Sequence, residues 1–151
     1  MRVAFVKAGW HADIVDSALA GFAEEMARLG YDPEAIDVFD VPGAFEIPLH
    51  AKMIARSAYY SAVIGAAFVV NGGIYRHDFV SETVVGALMQ VQLQTDVPMI
   101  SVILTPHNFH EHEEHRNFFR EHFVTKGAEA ARACASTVES LRRLPRRAAA
   151  A

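Results

Sequence analysis

The run from Ala62 to Val70 is almost wholly apolar. Such a run reads as a central strand of a parallel sheet, covered on both faces, and it requires further strands beside it and helices above and below. It stops at Asn71-Gly72-Gly73, where adjacent glycines permit positive φ and let a ligand approach the backbone. Tyr75, Arg76, His77 and Asp78 follow before a helical pattern begins. Polar, titratable residues after the C-terminal end of a parallel strand stand where open α/β sheets bind ligands. They also suit a Gly-rich turn with ordinary solvated charges.

The rest of the chain supplies the partners that this strand needs. Val3 to Lys7 reads as a first strand ending at Ala8-Gly9. Trp10, the only tryptophan, follows on its exit loop. An aromatic there either stacks on a planar ligand or joins the core. Asp13 is placed to cap a helix whose stripe is Ile14, Ala18, Phe22, Met26 and Leu29, with Gly30 as its stop. Ile36 to Val41 reads as a second strand, ending at the Pro42-Gly43 turn. Glu46 beyond it is a hydrogen-bond acceptor or simply an acidic residue favoured by the dipole of the following helix, Leu49 to Arg56. Pro48 fits only the first turn of that helix. Val80 to Gln94 reads as a helix, Pro98 to Leu104 as a strand, and Ala128 to Leu141 as a last helix separated by Lys126-Gly127 from a His-rich helical stretch. Alternation of this kind predicts a three-layer α/β/α sandwich around a mostly parallel four-stranded sheet. The loops after Gly9, Val41, Val70 and Thr105 then open on one edge of the sheet.

With 151 residues, no internal repeat and no linker, a single domain spanning 1–151 is expected, its last stretch, 142–151, a frayed basic tail. The 52% hydrophobic content slightly exceeds the ordinary range and suggests burial against other subunits. A formal charge of −4 gives no electrostatic case for nucleic acid or a membrane surface. No stretch approaches the roughly 20 apolar residues of a membrane span, and the N-terminus lacks the apolar run of a signal peptide. The lone Cys134 excludes an intrachain disulfide, fits a reducing compartment, and reads as a small core residue. A cytoplasmic protein is expected.

The segment from His107 to His122 invites a metal hypothesis, since His107, Glu111 and His115 would share a face of a helix. The H-E-x-x-H pattern is absent and no cysteine cluster supports zinc, so a solvated, salt-bridged helix is the better reading. No Walker or Rossmann phosphate loop and no nucleophile-elbow serine occurs.

V-P-G-A-F-E-I-P at 41–48, G-A-A-F-V-V-N-G-G-I-Y-R-H-D-F-V at 65–80, P-M-I-S-V-I-L-T-P at 98–106 and Lys126-Gly127 fall in the order found in 6,7-dimethyl-8-ribityllumazine synthases. The chain resembles that family over nearly its whole length. W-H-A-D, Y-R-H-D-F and the His-rich stretch are similar especially to its divergent second bacterial type. The resemblance implies a flavodoxin-like fold and a step of riboflavin biosynthesis. In that step 5-amino-6-(D-ribitylamino)uracil condenses with 3,4-dihydroxy-2-butanone 4-phosphate, releasing phosphate and water, with no metal or organic cofactor. It also implies a homo-oligomer, a pentamer or a decamer of two pentamers, with sites between neighbours.

By the same resemblance, Trp10 stacks on the pyrimidine, and Ala44, Phe45 and Glu46 hold the ribityl chain. Phe68, Val69 and Val70 read the pyrimidine edge, while Gly73 and Ile74 lie beside the butanone phosphate. Ser101, His115, Arg116 and Lys126 come from the adjacent subunit, Ser101 in place of an aromatic and His115 in place of a phosphate-binding arginine. Asn71 and Ile74 replace an arginine and a threonine of the common pattern. Arg76 takes the position of the proton-transferring histidine, with His77 one step later where the common enzyme has an aromatic. An arginine is a poor proton shuttle at neutral pH but suits phosphate. The expected catalytic pair is therefore Arg76 at the phosphate and His77 as a packing residue, or as the shuttle if its ring turns inward. The alternatives to a synthase are a flavin or lumazine carrier with weak residual catalysis, and a scaffold.

Overall fold

The computed structural model describes residues 1–71 and 76–145. Four strands, β1 (Val3–Ala8), β2 (Ile36–Val41), β3 (Ala62–Phe68) and β4 (Met99–Leu104), form one sheet in the order β2-β1-β3-β4. Every pairing is parallel, with Val3 opposite both Ile36 and Ala62, and Val63 opposite Met99. The helices are α1 (Ala12–Arg28), α2 (Ile47–Arg56), α3 (His77–Thr95) and α4 (Glu113–Arg143). The expected three-layer sandwich is what forms.

Strand periodicity divides the core into two halves. Val3 and Phe5 of β1 and Ala62, Ile64, Ala66 and Phe68 of β3 face α1 and α4. Ala4, Val6 and Ala8, with Val63 and Ala67, face α2 and α3. All seven residues of β3 are buried, because helices cover both of its faces. Cys134 lies in the α1/α4 half, where burial pushes its thiol up to about 12 and leaves it unreactive.

Several local expectations are corrected. The expected break at Lys126-Gly127 does not occur, and α4 is one continuous helix. A Cβ on Gly127 would meet the Ala18 carbonyl oxygen at 2.0 Å, and one on Gly21 would meet that of Val124 at 2.1 Å. The glycine thus permits close helix packing rather than ending a helix. Asp13 does not cap α1. It lies inside the first turn, and its carboxylate accepts from Arg116 and Arg120 of α4, each at 2.7 Å. Leu29 leaves the apolar stripe as the helix ends: Gly30 takes φ 88°, and Gly30 and Tyr31 donate back to the carbonyls of Ala27 and Met26. Helix α3 starts at His77, three residues before its apolar pattern, with the Ser81 hydroxyl donating to the carbonyls of His77 and Asp78. His107 and Glu111 precede α4, so they share no helix face with His115. Arg142 and Arg143 close the last turn of α4.

Candidate active site

In a parallel sheet all strand C-termini lie on one edge, and here they carry a cavity of about 460 Å³. Its floor is the end of β1 and β3. Its walls are the loops after β1, β2 and β3, and Glu111 enters from the segment before α4. Hydrogen bonds to main-chain carbonyls fix these loops. Gly9 N–H donates to Val41 O, Val69 N–H to Leu104 O, and the Thr105 hydroxyl to Val69 O.

Seven of the residues expected at the site line this cavity together. Trp10 is 72% exposed and stands on the rim, so it is not a core residue. Gly43 lies beside it, since a Cβ there would come within 3.5 Å of the indole Cδ1 and 3.2 Å of Glu46 Oε2. The small residue thereby leaves indole and carboxylate free to face the same space. Ala44, Phe45 and Glu46 form a 3-10 turn leading into α2, where Pro48 occupies the first turn. Phe68, Val69 and Val70 complete the group. The Phe68 ring is buried, in contact with Phe119 and Phe123, so its contribution to the cavity is mostly the strand end itself.

Other expected residues are placed differently. Gly73 and Ile74 lie outside the described residues. Arg76 donates to Asp78 at 2.6 Å and its guanidinium lies 4.3 Å from the Phe79 ring centroid. His77 does not line the cavity but touches its wall: its backbone N–H and ring Nδ1 bond the Asn71 side-chain oxygen at 3.2 and 2.6 Å. A carbonyl oxygen only accepts, so Nδ1 carries the hydrogen in this bond. Ser101 and Lys126 share a separate hollow between β4 and α4, with Lys126 paired to Glu129. His115 lies in a third hollow, its Nδ1 accepting from the His110 N–H. Arg116 is held by Asp13; burial works against that carboxylate, but Arg116 and Arg120 still keep it below the usual range. No group of three His, Cys, Asp or Glu among the described residues is arranged to hold a metal ion.

His11 and Glu111 also line the cavity, and the sequence marked neither as a residue of this site. The only signal for His11 was its place beside Trp10 at a strand exit. The sequence pattern sets Glu111 on a helix face with His107 and His115, whereas the loop of residues 105–112 between β4 and α4 carries it to the cavity.

The chain matches the family 6,7-dimethyl-8-ribityllumazine synthase over residues 1–142. It is 59% identical to 6,7-dimethyl-8-ribityllumazine synthase 2 of Pseudomonas syringae pv. tomato, across 96% of this chain and 85% of that protein. It is 58% identical to 6,7-dimethyl-8-ribityllumazine synthase of Rhodococcus erythropolis, across 95% and 93%. It is 53% identical to 6,7-dimethyl-8-ribityllumazine synthase 2 of Bradyrhizobium diazoefficiens, across 95% and 86%. The likeness covers all four strands and every loop that builds the cavity, and the chain belongs to the 6,7-dimethyl-8-ribityllumazine synthase family.

Proposed function

We propose that the protein carries out the family's condensation of 5-amino-6-(D-ribitylamino)uracil with 3,4-dihydroxy-2-butanone 4-phosphate, giving 6,7-dimethyl-8-ribityllumazine, phosphate and water in riboflavin biosynthesis. The observation that carries this reading is the convergence of Trp10, the Ala44–Glu46 turn and the Phe68–Val70 strand end on one cavity. In this reading Trp10 stacks on the pyrimidine, Glu46 accepts from ribityl hydroxyls, and the Val69–Val70 backbone meets the ring edge. Arg76 exchanges Asp78 for the butanone phosphate and stabilises its departure. Gly73 and Ile74 belong to the same phosphate side. Holding the amine against the ketone supplies much of the rate, since a well-oriented pair saves several kcal/mol of barrier.

Ser101, His115 and Lys126 belong in this reading to the site of an adjacent copy, in a pentamer or a decamer of two pentamers. Of the two residues considered for the phosphate contact, His115 is assigned it, because Arg116 is engaged by Asp13. Support for association comes from apolar side chains left exposed on α2 and α3, among them Leu49, Met53, Met89 and Leu93. No helix among the described residues is long and apolar enough to cross a membrane. The reading places the reaction in the cytoplasm.

Arg76, permanently charged where a proton shuttle is expected, favours a second reading, a lumazine or flavin carrier. Mixing the protein with both substrates and following lumazine absorbance separates the two. A rate above the spontaneous one supports the synthase. Tight product binding without acceleration supports the carrier.

A further inference from the structure

The cavity contains one histidine, His11, and its setting is unusual. The residue before a helix is normally extended. His11 instead takes the left-handed conformation, φ 53° and ψ 44°, with no side-chain bond to the helix it precedes. Histidine is among the few residues that tolerate this backbone, and such outliers concentrate at functional sites. The ring is wedged edge-on between Phe68 and Phe109, with centroid distances of 5.6 and 5.3 Å. Its nitrogens make no hydrogen bond to any described residue. The imidazole is therefore held by packing, with its polar atoms uncommitted, beside Trp10 and the end of β3.

We propose that His11 is the proton-relay residue of the condensation. The proposal rests on the function read above and adds a catalytic residue to it. As the amine nitrogen attacks the ketone carbon, the new C–N bond forms and the C=O pair moves onto oxygen. The ring of His11 takes a proton from that nitrogen and delivers it to the oxygen, giving the carbinolamine. In the second half the remaining N–H proton passes through His11 to the hydroxyl. Water leaves as the nitrogen lone pair closes the C=N bond. The imidazole ends neutral, and no outside acid, base or cofactor is consumed.

The charges around His11 suit a neutral resting ring. Burial, and then Arg116 of α4, lower its pKa, while Glu111 and Asp13 oppose them. Arg120 acts at one remove through Asp13, and Glu46 faces the cavity from the β2 side. A base with a depressed pKa stays unprotonated through neutrality, so its activity falls only on the acid side.

The test is His11→Asn, because asparagine also tolerates the left-handed backbone. Wild type and variant are compared for kcat and KM across roughly pH 5 to 8, and for product affinity. The expected result is a fall in kcat of about 10²-fold, loss of the acid limb, and product affinity within a few-fold of wild type. An unchanged kcat, a retained acid limb, or a matching loss of product binding overturns the proposal. So does a His77→Phe variant that alone loses the acid limb. Wild-type protein without turnover refutes the function read above instead. If His11→Asn does not fold, diethyl pyrocarbonate labelling of wild type, mapped by mass spectrometry, decides. Bound product should slow the modification of His11, and unchanged labelling overturns the proposal.

Discussion

Trp10 is the only tryptophan in the chain and stands on the rim of the cavity, so selectively excited tryptophan fluorescence reports on that place alone. Titration with lumazine or riboflavin should quench most of it, and Trp10→Ala should weaken product binding by about 10-fold, as expected for loss of an aromatic contact worth about 1 kcal/mol beyond area burial. Unquenched fluorescence at saturating product would remove Trp10 from the site. Arg76→Ala should lower turnover and inorganic phosphate affinity at least about 10-fold, in line with loss of a charge-assisted contact. Its melting temperature should stay unchanged, since the Arg76–Asp78 pair is solvent-exposed. Residue type and strand-exit position made Trp10 and Glu46 candidates but left a core aromatic and a dipole-favoured carboxylate equally open, and it was the family resemblance that gave them roles. His11 was not legible, because what sets it apart is a backbone angle and two ring contacts that arise from distant segments, Phe68 and Phe109.

The α1–α4 pair shows where sequence periodicity stops informing. Strand identities followed from apolar runs, but Gly127 between two helical patterns has the same sequence appearance whether it ends a helix or admits a neighbour. Ala at a helical Gly ordinarily gains about 1 kcal/mol from propensity. Here the Cβ would collide with backbone of α1, and overpacking costs about 1–3 kcal/mol. Gly127→Ala should therefore lower the unfolding free energy measured in urea; a stabilised variant would refute the packing account. Glu25 joins the same helices, bonding Arg28 at 2.6 Å and Arg132 at 3.0 Å. Arg28 first, then Arg132, hold its carboxyl at about 2 instead of 4.5. A carboxyl depressed on folding adds stability that is complete above about 4.5 and lost as pH falls toward 2. Urea midpoints of wild type should thus drop more steeply than those of Glu25→Gln across that window, and parallel curves would contradict the linkage.

Across the whole molecule, ten of the residues expected at the site lie in hollows of two kinds. One group surrounds the cavity at the sheet edge, and the other, Ser101, His115 and Lys126, lies in hollows elsewhere on the chain. Only the family resemblance suggests that the second group serves an adjacent copy, because no periodicity within one chain tells which surface meets a second copy. Light scattering at micromolar concentration should give a pentamer or decamer, and a stable monomer would contradict the shared site. The central claim, that this cavity joins two substrates, is tested most directly by one measurement. Lumazine absorbance and phosphate release are followed together after mixing ribitylaminouracil and butanone phosphate with the protein. Both rates should exceed the protein-free control, with one phosphate released for each lumazine formed. Rates equal to the control, with lumazine bound tightly, would contradict the claim.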